Sequence, residues 1–484
     1  MRRLAPLVLL LTVLAGCATP AADLDPAAAG DISVISFGAP VAMAQPTGGA
    51  EPNLAIAPDG TLWITAVAGS QERPNHERGA AWLWRSTDNG TTWETLRAPV
   101  RETPLGSLPQ TRRPFGSSDA DVVTSPDGWV YYSDWWNWGS PVLVPQPVPL
   151  PLSPNARYGS YMVERSNDGG ATWASSPITT LDSLGGIDRQ WLVAGPDGWV
   201  GLFYAYFHGP NPARGAQGVP DGRSSIQAVY STDHGETWSE PRPVVVSPPG
   251  EFAQISHPRL TPQGLLWMPH GWTKEAETYW TDPSEVRVAL STDRGLSWRV
   301  VKVADVPGGF DNLWAVQGAH EPDGTLHVAW AERDGDLMTV RHSRSRDAGA
   351  TWTAPENVSA PGLGFLPWVA ARAGEVAVGY YWANATGDPL EVPDGTAWSA
   401  VVARKGATGG WARVDASAEP VKLGPLCPRG AACPADRELL DYFSLDYEAS
   451  GRLHVAYAVS REVGGAKAGL VTYVGSANLV NQQS

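Results

Sequence analysis

The sequence predicts an all-β protein, a β-propeller built of four-stranded antiparallel blades. Three observations predict it. A turn ending in glycine and leading into a strand recurs seven times: APDGTLWITA (57–66), SPDGWVYYSD (125–134), GPDGWVGLFY (195–204), TPQGLLWMPH (261–270), EPDGTLHVAW (321–330), RAGEVAVGYY (372–381) and ASGRLHVAYA (449–458). A second pattern, S-x-D-x-G-x-[ST]-W, recurs five times: STDNGTTW (86–93), SNDGGATW (166–173), STDHGETW (231–238), STDRGLSW (291–298) and SRDAGATW (345–352). The 484 residues include 52 Gly, 43 Pro and 23 Trp, a composition of turns and short aromatic strands.

Each element has a local reason. Asp-Gly between apolar runs is a strong hairpin signal, because glycine accepts the positive φ of a tight turn. The runs after each turn carry β-branched and aromatic residues, as strands do. The first unit then reads LAIA, PDG, TLWITAV, a variable loop, AAWLWR, STDNGTTW and ETLRA. That is four strands per unit, repeated radially. Seven turns point to seven blades. Six is the alternative, because the sixth unit is short and its box has eroded to RKGATGGW (404–411). The last unit lacks a fourth strand, and DISVISFG (31–38) is a strand with no partner before the first unit. It is expected to close the ring as the missing outer strand, removing the open edges.

The N-terminus, MRRLAPLVLLLTVLAGCATP, has two arginines, a short apolar run and small residues, the layout of a secretory signal. The run is too short to span a membrane. Leu14-Ala15-Gly16-Cys17 resembles a bacterial lipobox, in which Cys17 becomes the lipid-modified first residue. Residues 1–17 are thus expected to be a lipoprotein signal, 18–30 a flexible tether, and 31–484 one propeller held outside the cytoplasm in the cell envelope. In that compartment Cys427 and Cys433 are expected to form a small-loop disulfide. The formal net charge of −15 and the lack of a basic stripe argue against nucleic-acid binding. No ligand cluster for a metal is legible, and no cofactor is expected.

The repeated box resembles the Asp box, or BNR repeat, of the sialidase-like propeller superfamily. In that family it is a structural hairpin remote from the active site. The residues agree: Ser and Asp can bond their own turn, Gly takes the left-handed position, and Trp covers the turn. Asp88, Asp168, Asp233, Asp293 and Asp347 are therefore expected to be turn locks, and one carboxylate per loop is too few for calcium. In a four-stranded meander both repeated turns lie on one face, so variable loops gather on the other, where function usually sits.

The first strand of each unit begins at that loop face. Its opening residues include Glu51, Asn53, Asp119, Asp121, Asp188, Arg189, His257, Arg259, Asp311, Asp441 and Tyr442. The resemblance implies a tyrosine nucleophile, an aspartate acid/base and three arginines holding a substrate carboxylate. On this chain it suggests Tyr442 as nucleophile, with Asp119, Asp121 or Asp188 as acid. Arg189, Arg259 and His257 would contact substrate, with Arg113, Arg372 or Arg437 as third arginine. Trp136 and Trp272 head the aromatic residues of the long loops that are candidates to stack on sugar rings. The family's N-terminal arginine element is absent: the first unit opens EPNLAIAPDG. Two functions follow. One is a glycan-acting or glycan-binding propeller, an exo-glycosidase of sialidase type if catalytic. The other is a non-catalytic propeller that docks a protein or envelope partner, with the axial charges paired to one another.

Overall fold

A computed structural model describes residues 35–44, 49–67, 81–97, 117–138, 158–179, 186–207, 224–274, 283–309, 316–428, 433, 437–439, 441–463 and 466–476. Cys17, the signal segment, the tether and Asp311 lie outside these residues.

The described residues are all-β. Antiparallel sheets of four strands follow one another along the chain. The first spans residues 53–97, the second 117–179 and the third 186–246. The fourth, 252–305, has its inner strand split into Phe252–Gln254 and Arg259–Leu260. A nine-stranded sheet follows. Its two antiparallel parts, 317–357 and 363–423, meet through one parallel bridge between Met338 and Leu363. The last sheet pairs Ser444–Tyr447, Leu453–Val463 and Ala466–Gly475 in order, and takes Val41–Ala42 as its outer strand. Residues 31–34 lie outside the described set, and the pairing is made further along, by Phe37 with Ser476 and by Val41–Ala42 with Tyr473 and Thr472. The sixth unit keeps a strand pair around its eroded box, Ala397–Gly406 with Ala412–Asp415.

The first strands of neighbouring sheets touch, and that of the last sheet touches that of the first. Second strands such as Leu62–Ala66 and Leu266–Thr273 are buried along their whole length, whereas the outer strand Arg299–Asp305 is largely exposed. Sheets stacked face to face bury both faces of their middle strands, so the period-two signal fades there. Trp63, Trp84, Trp191, Trp267, Trp330 and Trp398 are among the largest fully buried side chains.

The five boxes share one hydrogen-bond pattern. In the first, Ser86 Oγ donates to Asp88 at 2.8 Å and accepts from Gly90 N at 2.9 Å. Asp88 accepts from Thr92 N at 2.9 Å and from Thr92 Oγ1 at 2.6 Å, and Trp93 Nε1 donates to Gly90 O at 3.1 Å. Two adjacent residues are left-handed, Asn89 at φ 57° and Gly90 at φ 80°. The boxes also lock sheet to sheet. A Cβ on Gly90 would lie 2.1 Å from the Tyr473 ring, and one on Gly295 2.3 Å from Tyr230 Oη. Arg165 of the second sheet donates to Gly235 O of the third sheet's box at 2.8 Å. The box aspartates are thus structural.

Their own turn bonds hold Asp88, Asp168, Asp233, Asp293 and Asp347 at a pKa of about 2. A carboxylate depressed in the folded state stabilises above its unfolded pKa, near 3.9, and loses that contribution as pH falls through about 2. Acid unfolding followed by circular dichroism is therefore expected to steepen between about pH 4 and 2. Asp168→Asn should flatten that limb, because the amide does not titrate. An unchanged limb would show that these turn bonds carry no acid sensitivity.

Candidate functional site

Four sheets each send one residue to the same place on the axis. Glu51, Asp119, Arg189 and Tyr442 stand nine residues before their sheet's turn glycine, Gly60, Gly128, Gly198 and Gly451. They therefore lie at the end of the inner strand remote from the repeated turns. All four are buried, with relative exposures of 3%, 6%, 4% and 1%.

Arg189 organises them. Its Nη2 donates to Asp441 Oδ2 at 2.8 Å, its Nη1 to Glu51 Oε2 at 3.3 Å, and its backbone N to Asp119 Oδ2 at 3.2 Å. The guanidinium lies 5.0 Å from the Tyr442 ring centre. Arg437 also bonds Asp441. Of the three candidates for a further arginine, Arg437 joins the cluster. Arg372 pairs with Glu375 beside a turn, and Arg113 lies outside the described residues.

Backbone strain marks the same place. Most non-glycine residues at positive φ belong to the repeated turns. Glu51 (φ 55°), Arg189 (φ 47°) and Leu366 (φ 55°) do not; they stand at the openings of inner strands. Arg189 sits in a bulge between Asp188 and Gln190. Left-handed conformations of such residues cost about 1–3 kcal/mol each and persist where the surroundings hold them.

The electrostatics split the carboxyl groups. Burial pushes Glu51 well above the usual range, although Arg189 pulls the other way. Burial also acts to raise Asp441, but Arg437 and Arg189 outweigh it and hold this carboxyl below its usual value. Burial, then Glu51, raises the Tyr442 phenol. Burial acts to lower Arg189, but Glu51 and Asp119 keep it firmly charged. The cluster thus pushes one carboxyl up and holds its neighbour down, an arrangement seen where acid and base roles are divided.

Asp121 forms a second layer nearer the turns. It is fully buried, accepts from Leu192 N at 2.5 Å and from the Asn53 amide, and lies 3.5 Å from His257 Nε2. Burial, then Arg259, holds His257 below its ordinary pKa. Trp191 packs on His257 at 4.8 Å, Tyr442 at 5.1 Å and Trp368 at 5.9 Å, an aromatic partition across the axis. Arg259 lies beyond it, five residues before Gly264, bonded to Gly318 O at 3.0 Å and to His257 Nδ1 at 2.5 Å. The expected substrate residues are therefore split: Arg189, Asp119 and Tyr442 share one place, and Arg259 stands apart from it.

Trp272 is buried, bonds Glu251 through its indole N–H, and is covered by the Arg287 guanidinium at 3.8 Å, so its ring face is taken. The backbone of Trp136 pairs with Ser117 and Ser160; its side chain and that of Asp188 lie outside the described set. Cys427 and Cys433 are disulfide-bonded. Among the described residues, no group of three or more His, Cys, Asp or Glu is placed to hold a metal ion.

Glu51, Asp441 and Arg437 were legible only as opening polar residues or as guesses. The equal nine-residue offset from the turn glycine is the signal that selects Glu51 together with Asp119, Arg189 and Tyr442. Arg437 has no such marker, because it lies in the irregular segment after the disulfide.

The stretch from 190 to 363 matches the family described as BNR repeat-like domain, and it contains three of the five boxes. The Asp-box resemblance and this match agree. No curated protein matches the chain at the sequence level. Among solved structures, a Hadza microbial sialidase is similar at 16% identity and a TM-score of 0.46, over 86% of this chain and 76% of that one. An α-L-arabinanase of Penicillium chrysogenum is similar at 15% identity and a TM-score of 0.45, over 71% and 94%. A sialidase of Streptococcus pneumoniae is similar at 10% identity and a TM-score of 0.45, over 86% and 84%. At these values the likenesses assign no role to any residue of this chain.

Proposed function

We propose that this chain is a seven-bladed propeller, anchored by lipid at Cys17 outside the cytoplasm, that acts on glycans at the loop end of its axis. Support for seven blades comes from the seven turn glycines, the circuit of touching inner strands, and the pairing of Val41–Ala42 with the last sheet. One observation carries the activity. Three sheets bring together Glu51, whose carboxyl burial pushes up, Asp441, whose carboxyl the arginines hold down, Arg189 and Tyr442.

In this reading the protein is an exo-glycosidase. Glu51 is the proton donor to the leaving oxygen, Tyr442 the nucleophile, and Asp119 the nearby base. Charge narrows the substrate. Arg189 pairs with Glu51 and Asp441, and Arg437 pairs with Asp441, so neither is spare for an anionic sugar. A neutral terminal sugar suits this balance better than a sialoside.

The test is a panel of fluorogenic glycosides spanning neutral sugars, uronides and sialosides. The wild-type protein is expected to turn over at least one neutral member. Tyr442→Phe and Glu51→Gln should each lower kcat about a hundredfold or more, with smaller changes in KM. No turnover of any member by folded protein would sink the hydrolase reading. The second reading, a non-catalytic docking propeller, is favoured by the near-complete burial of the cluster and the pairing of its arginines.

A further inference from the structure

The turn end of the axis holds a second concave site, on the far side of the aromatic partition. It is a cavity of about 350 Å³, reached by His257, Trp368 and Arg259, with Ala371 and Leu260 near its rim. That size lies at the lower end for sites that hold small organic ligands.

Two opposite charges face this space without meeting. Arg259 lies 5.7 Å from the Trp368 ring centre and makes no ion pair with any described residue. Asp446 accepts from Tyr447 N at 2.8 Å and also lacks an ionic partner among the described residues. Its side chain is exposed and lines the cavity. His320 lines the same space, and its Nδ1 has no hydrogen-bond partner.

We infer that this cavity binds a small hydroxylated carboxylate of the sugar-acid class, its carboxylate on Arg259 and its hydroxyls on Asp446 and His320. The arginine fork matches a carboxylate in shape and charge, and the half-buried Arg259 guanidinium gains a counter-ion when one arrives. Leu260 and Trp368 offer apolar surface to the C–H faces of such a ligand. Burial, then Arg259, holds His320 at about 4, so its ring is neutral at physiological pH.

Calorimetric titration of the purified full-length protein with glucuronate, and with glucose as the analogue lacking a carboxylate, tests the assignment. Saturable binding of glucuronate is expected, with glucose at least about tenfold weaker. Arg259→Gln should weaken glucuronate about tenfold or more. Ala371→Phe fills the rim from another sheet, leaves Arg259 in place, and should abolish binding. If Arg259→Gln does not fold, Ala371→Phe decides alone. Absence of saturable binding, equal affinity for glucose, or binding that survives in folded Ala371→Phe overturns the assignment.

Discussion

Replacing Arg189 with methionine is expected to destabilise the protein by about 3–5 kcal/mol, measured as a lower denaturant midpoint at pH 8. The side chain is buried and ties Glu51 of the first sheet and Asp441 of the last to the third, while the backbone N of Arg189 holds Asp119 of the second. Methionine keeps much of the volume and removes the charge. Three carboxyl groups then face one remaining arginine, Arg437. Each responds by raising its pKa. A carboxyl whose folded pKa is raised contributes fully below its unfolded value, near 4, and loses stability as pH rises through the folded value. The deficit of Arg189→Met should therefore shrink at pH 5 and widen at pH 8. A deficit below about 1 kcal/mol at both values would mean that the carboxyl groups do not depend on this arginine.

Asp121→Ala should cost a similar amount, about 3–5 kcal/mol. Asp121 is fully buried and comes from the second sheet, whereas its partners Asn53, Leu192 and His257 come from the first, third and fourth. Alanine leaves a backbone N–H, an amide and an imidazole without their acceptor in a buried layer. Asp121→Asn keeps one carbonyl oxygen for Leu192 N and should lose about half as much. Equal losses for Ala and Asn would mean that charge opposite His257, rather than the shared acceptor, carries the effect. Denaturant unfolding of both variants against wild type separates these outcomes.

The architecture was legible because its signals are short-range. A Ser, an Asp and a Gly within five residues satisfy their own turn, and Asp88 behaves as that spacing requires. The turn glycines at positive φ recur for the same reason. The axial site was legible only in part. Arg189, Asp119 and Tyr442 were named as candidates because polar residues open the inner strands, and they do share one place. Arg259 was grouped with them for the same reason, yet it stands five residues from its turn glycine rather than nine. Four residues of strand rise carry it about 13 Å toward the turns, past the Trp191 layer. Trp272 shows a different limit. Its type suggested an open stacking face, but Arg287 lies across the ring.

By itself, the sequence determined the repeat, the strand order within each unit, the structural role of the boxes, and the residues able to meet at the axis. These depend on contacts within a few residues and on a periodicity that every unit restates. Only the tertiary structure decided which of those residues meet. The pairing of Glu51 and Asp441 with Arg189 joins residues 138 and 252 positions apart, and the bulge at Arg189 turns its side chain into that pair. Nothing local specifies such a meeting. It follows from how the sheets stack around the axis, and that stacking also gives Glu51 and Asp441 their opposite pKa shifts and sets Arg259 apart from the Arg189 cluster.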